Sequence, residues 1–196
     1  HSIRRRQRQM CIRDSLCGHA TLAAGHVVFQ REPGLNHAQF SSNSGPLTVH
    51  RNGQQLTLDF PMQRAEPCAI PNGVNQILGT SAVACLKAVD LMVVVAHERE
   101  VQAMKPDSTA IATLPGRGLI VTAPGSDVDF VSRFFAPSCG IEEDPVTGSA
   151  HCTLTPYWAA RLGRTSLVAR QLSRRGGLLH CALAVSYTHL TLPTTD

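Results

Sequence analysis

The chain has 196 residues, 43% hydrophobic and 16% charged, a balance that suits one large or two small α/β units. No run approaches the roughly 18 apolar residues that a membrane span needs, and the longest, DLMVVVAH, has the length of a buried strand. Seven cysteines at irregular spacing, with no CxxC, argue against a disulfide framework and a zinc ribbon and point to reduced, mostly buried thiols.

The net charge of +4 suggests nucleic acid until its source is located. Five arginines lie in IRRRQRQMCIRDS, residues 3–15, and the other end, AVSYTHLTLPTTD at 184–196, is equally unusual. Read one segment forward and the other backward, and every pair can be encoded by reverse-complementary codons. Ser15 and Ala184 fit AGC and GCT, Met10 and His189 fit ATG and CAT, and the series runs out to Ile3 and Asp196 as ATC and GAT. Such a match points to one inverted DNA adapter translated at both ends. Residues 1–15 and 184–196 are therefore set aside as non-native, and the remainder is close to neutral, so no nucleic-acid partner is expected. The chain then reads as an internal fragment. With no secretory signal built on an apolar centre, a cytoplasmic protein without a membrane partner is expected.

Residues 16–29 read as a helix with Leu22, Ala23, Val27 and Val28 at helical spacing and CGHAT as a small, polar entry. REPGLNHAQFSSNSG follows as a polar loop. PLTVHRNGQQLTLDFP is a hairpin, because Leu47, Val49 and Leu56, Leu58, Phe60 alternate around Asn52-Gly53. Residues 61–67 look like a boundary. IPNGVNQILG is a short helix with Pro71 at its start and Gly79 at its end. AVACLKAV and DLMVVVAH are strands, and 98–116 holds one or two helices broken by Pro106. GLIVTAPG and DVDFVSRFFAP are strands, the second with Val128 and Phe130 alternating with polar neighbours. Thr147 or Ser149 opens an amphipathic helix that Gly163 closes. SLVARQLS and LLHCALA finish as strands.

Two helices thus begin at a mouth of small residues. A helix N-terminus leaves about four backbone N–H groups unpaired and carries roughly half a positive charge, so it suits a carboxylate. CGHAT offers Gly18, His19 and Thr21. DPVTGSAH offers Thr147, Gly148 and Ser149, with Asp144 outside and Pro145 fixing its direction. The plainer reading is that Thr147 or Ser149 caps its helix and Gly148 eases packing. Glu142, Glu143 and Asp144 equally read as a solvated acidic loop near a helix N-terminus. His19 and His26 share a helical face without the spacing that zinc sites show, so no metal is expected. Neither glycine stretch continues into Lys-Ser or Lys-Thr, which excludes a P-loop.

CGHATLAAGHVVF, LTVHRNGQQLTLDFP and RFFAPSCGIEEDPVTGSAHCTLTPYWAARLG resemble the PhzF family of phenazine-biosynthesis-like isomerases, over about residues 16–183. The resemblance implies an α+β fold of two diaminopimelate-epimerase-like domains, 16–63 and 64–183, both truncated, each wrapping a curved mixed sheet around a central helix. It implies cofactor-free proton transfer at carbon in a cyclic dihydro-hydroxyanthranilate-type carboxylic acid, with His19 and Asp144 assisting protonation. Gly18, Thr21, Thr147, Gly148 and Ser149 would hold the ligand, and a homodimer is implied. The family's principal acid/base is a glutamate in an N-x-S-E-T-like motif that these residues lack, so the fragment is expected to be inactive. The strands after Leu183 are expected to be missing, which would leave an exposed sheet edge. Two alternatives stay open. One is a two-thiol epimerase or racemase, with Cys17 as one base and no matching cysteine at the second mouth. The other is a non-catalytic small-acid-binding protein.

Overall fold

The structure, a computed structural model, describes residues 18–42, 45–184 and 187–192. Helix α1 (Gly18–Arg31) is followed by strands β1 (His37–Ser42), β2 (Gly45–Asn52), β3 (Gln55–Pro61) and β4 (Glu66–Pro67). Then come α2 (Val74–Leu78), β5 (Ala84–Lys87), β6 (Leu91–Val94), α3 (Glu98–Ala103), α4 (Ser108–Ile111), β7 (Leu119–Pro124) and β8 (Phe130–Phe135). Helix α5 (Gly148–Leu162), β9 (Ser166–Gln171), β10 (Gly177–Leu183) and β11 (Tyr187–Leu192) complete the described chain. The strands form one mixed sheet in the order β1-β2-β3-β11-β10-β9-β8-β7-β6-β5-β4. Its named pairs are antiparallel except β6 with β7 and β8 with β9.

The local signals act where they were read. Asn52-Gly53 turns the β2–β3 hairpin with Gly53 at φ 61°, and Leu47, Val49, Leu56, Leu58 and Phe60 point into the core. Gly79 and Gly163 close α2 and α5 in the left-handed region, where a residue without Cβ is least strained. Pro106 separates α3 from α4, and Asp107 caps α4 by accepting from the N–H groups of Thr109 and Ala110.

Several expectations change. On α1 the buried residues are Gly25 and Phe29, while Ala23 and Val27 are exposed, so the inward face is rotated from the one the aliphatic spacing suggested. The polar stretch after α1 contains β1, which among the described residues is an edge strand paired with β2 alone, and its side chains are at most half-buried. Strand β8 does not alternate: all six of its residues are buried, because it lies between β7 and β9 with both faces covered. Helix α5 is not amphipathic but central, with residues 149–155, Trp158 and Ala159 buried. Trp158 stacks on Phe130 at 5.7 Å between ring centroids and donates its indole N–H to the Thr122 hydroxyl at 3.0 Å.

Proline 156 lies inside α5 and has no N–H to give the carbonyl four residues back, that of Cys152. The backbone N–H of Gln63 supplies the missing bond at 3.0 Å, and the Gln63 side chain accepts from Thr153. The segment leaving β3 is thereby fastened to the central helix of the other half, and a buried carbonyl is satisfied.

The expected open edge beside β10 is filled. Residues 187–192, within a segment that codon complementarity sets aside, form β11, which pairs with both β3 and β10. Thr188 and Leu190 face inward and are buried, so the period-2 pattern of YTHL suits the position whatever its origin. The other adapter-like segment, 1–15, lies outside the described residues. A chain ended at Ala184 should lose the ladder on both β3 and β10. Its urea midpoint should fall and its light scattering rise relative to the full chain, and an unchanged midpoint would show that β11 contributes no closure.

Candidate active site

The tips of α1 and α5 meet at one aromatic ring. A Cβ on Gly18 would lie 2.6 Å from Cζ of Phe60, and one on Gly148 would lie 3.1 Å from the same atom. Both helices therefore start against the same ring near the end of β3. Packing alone thus favours glycine at both positions, strongly at Gly18, where a side chain would force the ring or the tip to shift, and less so at Gly148. It also brings two N-terminal dipoles to one place, which the separate motifs could not show.

The acidic entry to α5 is built, not loose. Thr147 is the residue before the helix, yet its hydroxyl makes no capping bond; it donates to Oδ2 of Asp144 at 2.5 Å. Gln171, at the end of β9 and fully buried, clamps the turn. Its Oε1 accepts from the Thr147 backbone N–H at 2.8 Å, and its Nε2 donates to the Asp144 carbonyl at 2.7 Å and to the Thr147 hydroxyl at 3.1 Å. Asp144 is further tied through its own N–H to the Phe134 carbonyl at 3.0 Å. Glu143 is not part of a solvated acidic loop. Both its oxygens receive bonds from buried Arg133, at 2.7 and 3.0 Å, while Arg133 also donates to the carbonyls of Val101 and Met104. Glu142 is exposed.

Ser149, buried at the first turn of α5, accepts a hydrogen bond from Nη2 of Arg117 at 3.1 Å. Arg117 in turn is held by both oxygens of Asp90, at 3.0 and 2.7 Å, and Asp90 is almost fully buried. Because the serine oxygen accepts here, its own proton is left to donate elsewhere. His151 is fully buried two residues on, with Nδ1 on the Thr147 carbonyl at 2.8 Å and Nε2 without a partner. Burial without a counter-charge pulls its pKa down to about 4. Cys152, buried beside it, has its thiol pushed up to about 12 by burial. That disfavours a thiolate base on α5, as a two-thiol mechanism would need. Cys17, the other thiol of that alternative, lies outside the described residues.

Of the predicted site residues, Gly18, Thr147, Gly148 and Ser149 gather around the two tips with Asp144. His19 follows Gly18 and is exposed, and Thr21 is half-buried on the same helix turn. Sequence reasoning missed Gln171, Arg117, Asp90 and Arg133. A buried-length strand carrying an arginine, as in FVSRFF, was the one available signal. A cavity of about 450 Å³ is bordered by Gln102, Arg170, Gln171 and the β9–β10 turn, and Gln171 links it to the turn before α5. No predicted ligand-binding residue lines it, so its size does not make it the substrate site. Among the described residues, no three His, Cys, Asp or Glu are grouped to hold a metal.

A mixed sheet with two helix tips meeting over one ring, beside a clamped Asp-Pro-Val-Thr turn, defines an α+β architecture of the epimerase-like kind. A family model described as phenazine biosynthesis-like protein matches residues 15–189. The chain belongs to that family, PhzC-PhzF. An uncharacterized isomerase of Pseudomonas aeruginosa is 52% identical over 172 residues, covering 86% of this chain and 66% of that protein. Another uncharacterized isomerase of the same organism is 47% identical over 167 residues, covering 85% of this chain and 64% of that protein. The crystal structure of a PhzF-family protein from Enterococcus faecalis matches with a TM-score of 0.86 at 41% identity, over 92% of this chain and 70% of that one. The chain spans about two thirds of the length of the curated relatives it matches.

Gln171→Leu should leave the Thr147 N–H and the Asp144 carbonyl without their partner and cost about 2–4 kcal/mol in urea unfolding. A cost under half a kcal/mol would mean that the clamp is dispensable. His151 generates a pH effect. Its folded pKa lies below the ordinary 6.5, so neutral histidine favours the fold. That contribution is whole above pH 6.5 and is lost as pH falls toward about 4, by on the order of 3 kcal/mol. The difference in unfolding free energy between wild type and His151→Gln should therefore shrink between pH 7 and pH 4.5; a constant difference would contradict the assignment.

Proposed function

We propose that this protein, extended to the length of its relatives, is a cofactor-independent isomerase of the PhzF type. Its substrate is a small cyclic carboxylic acid of the dihydro-hydroxyanthranilate kind. A proton leaves one ring carbon, the double-bond electrons shift, and a proton is delivered at another carbon. Composition is conserved, so the step calls for no redox partner. The observation that supports this most is the meeting of the α1 and α5 tips on Phe60 with Asp144 pinned beside them.

In this reading the backbone N–H groups of the two first turns receive the substrate carboxylate, where the helix dipoles lower its energy. Gly18 and Gly148 keep the tips together. Ser149 donates the proton that Arg117 leaves free, and Thr21 is the polar contact from α1. Thr147 holds the Asp144 carboxylate in one orientation, so that Asp144, with His19 across the mouth, can move a proton at carbon. The principal base is the family's glutamate. No N-x-S-E-T-like motif occurs in the 196 residues, so the chain by itself binds the acid without turning it over. The extended protein works as a cytoplasmic homodimer.

The test is deuterium incorporation at carbon, followed by NMR in D2O with a dihydro-hydroxyanthranilate as substrate. The extended protein should exchange and isomerise it. Asp144→Asn should slow exchange by about 10²–10⁴-fold, the usual worth of a positioned acid or base. Ser149→Ala should mainly weaken binding. Exchange at the wild-type rate in both variants would overturn the assignment, and binding without any exchange would leave an acid-binding protein.

A further inference from the structure

We propose that Cys68 and Cys85 are a peroxide-sensitive dithiol that closes reversibly into a disulfide across the edge of the sheet. Strand β4 pairs antiparallel with β5, Glu66 opposite Lys87 and Pro67 opposite Leu86. One step further along the same register puts Cys68 directly opposite Cys85, and the Cys68 N–H donates to the Cys85 carbonyl at 2.9 Å. Opposed residues that share a ladder bond have Cα atoms about 5.5 Å apart, inside the roughly 4.4–6.8 Å that a disulfide spans. The sulfurs already touch: Sγ of Cys68 lies 3.5 Å from Sγ of Cys85. Closing the bond needs a small rotation of two side chains and no movement of the backbone.

The two thiols are unequal, as a reacting and a resolving cysteine should be. Cys68 is half-buried beside β4, the terminal strand of the sheet, whose Glu66 and Pro67 are exposed. Cys85 is buried, and desolvation together with the neighbouring thiol pushes its pKa up to about 12. Solvent peroxide therefore meets Cys68 first. The peroxide O–O bond breaks, the Cys68 sulfur takes one oxygen and loses two electrons, and water leaves. The Cys85 sulfur then attacks the sulfenic sulfur, the S–O bond breaks, and the departing hydroxide carries off the Cys85 proton as a second water. Two thiols and one peroxide give one disulfide and two waters, and a dithiol reductant reverses the change. Cys152 and Cys181 lie in the same core, both buried, with thiols pushed up to about 12 chiefly by desolvation, and the half-buried Cys139 thiol donates to the Arg117 carbonyl at 4.0 Å.

The bond would do more than protect a thiol. It closes the loop 68–85 that carries α2 and pins the end of the segment whose Gln63 is fastened to α5. Oxidation would stiffen the connection that joins β3 to β5 and is fastened to α5 through Gln63, independently of what the candidate site transforms.

The folded chain is treated with graded hydrogen peroxide, free thiols are alkylated before and after unfolding, and the peptides are mapped by mass spectrometry. Cys68 and Cys85 should lose alkylation together and be recovered as one cross-linked peptide pair, two hydrogens lighter, that dithiothreitol opens. The oxidised form should melt at a higher temperature than the reduced form. Cys85→Ser should divert Cys68 to sulfenic acid trappable by dimedone, while Cys68→Ser should leave Cys85 a thiol at the same dose. Circular dichroism confirms that each variant is folded. The proposal is overturned if Cys139 oxidises ahead of the pair, if Cys68 goes on to sulfinic acid with Cys85 still a thiol, or if the cross-link forms only after unfolding.

Discussion

The ring of Phe60 sets the geometry on which the rest depends. It ends β3 fully buried, and two helices belonging to different parts of the chain must both start against it. Each start is favoured by a glycine that presents no Cβ there, Gly18 most strongly. Two like-signed helix dipoles held this close repel one another, and the apolar contact around Phe60 and Leu190 keeps them in place. The same arrangement makes the place attractive to an anion, which relieves that repulsion. Stability and the proposed binding of an acid would therefore draw on one packing contact.

Around this contact, buried polar groups do what apolar packing cannot, which is to fix directions. Gln171 makes three bonds to the turn before α5, Arg133 holds Glu143 with two bonds, and Asp90 holds Arg117, which reaches Ser149. Each network ends on the short stretch 143–149; two begin on strands β9 and β8, and the third in the turns just before β6 and β7. The proposed role of Asp144 calls for one orientation of its carboxylate, and the turn obtains it from partners remote in sequence. His151 shows the cost of placing polar groups in a central helix: one nitrogen is satisfied by Thr147 and the other is buried without a partner.

The hairpin at Asn52-Gly53, the glycine closures of α2 and α5 and the break at Pro106 were legible because each depends on neighbours within a few residues. The DPVTGSAH and CGHAT mouths were legible for the same reason. Strand β1 was not, because its polar residues carry no strand pattern and its pairing with β2 is what makes it a strand. The inward face of α1 was misread for a related reason: exposed Ala23 and Val27 are as aliphatic as buried positions, and only the sheet beneath decides which side is covered. Glu143 looked like a solvated charge because its partner, Arg133, lies on β8, a strand that reads as purely structural.

The amino-acid sequence by itself determined most of the helices and strands, the glycine closures, the hairpin turn and the two small-residue mouths, since backbone preference and periodicity act over a turn or a strand. Which tips would meet, which arginine would reach Ser149, and that Gln171 would hold the turn before α5 were decided only by tertiary structure. Those contacts join residues far apart along the chain, and no local preference encodes a distance between them; packing of the sheet around Phe60 and Trp158 does.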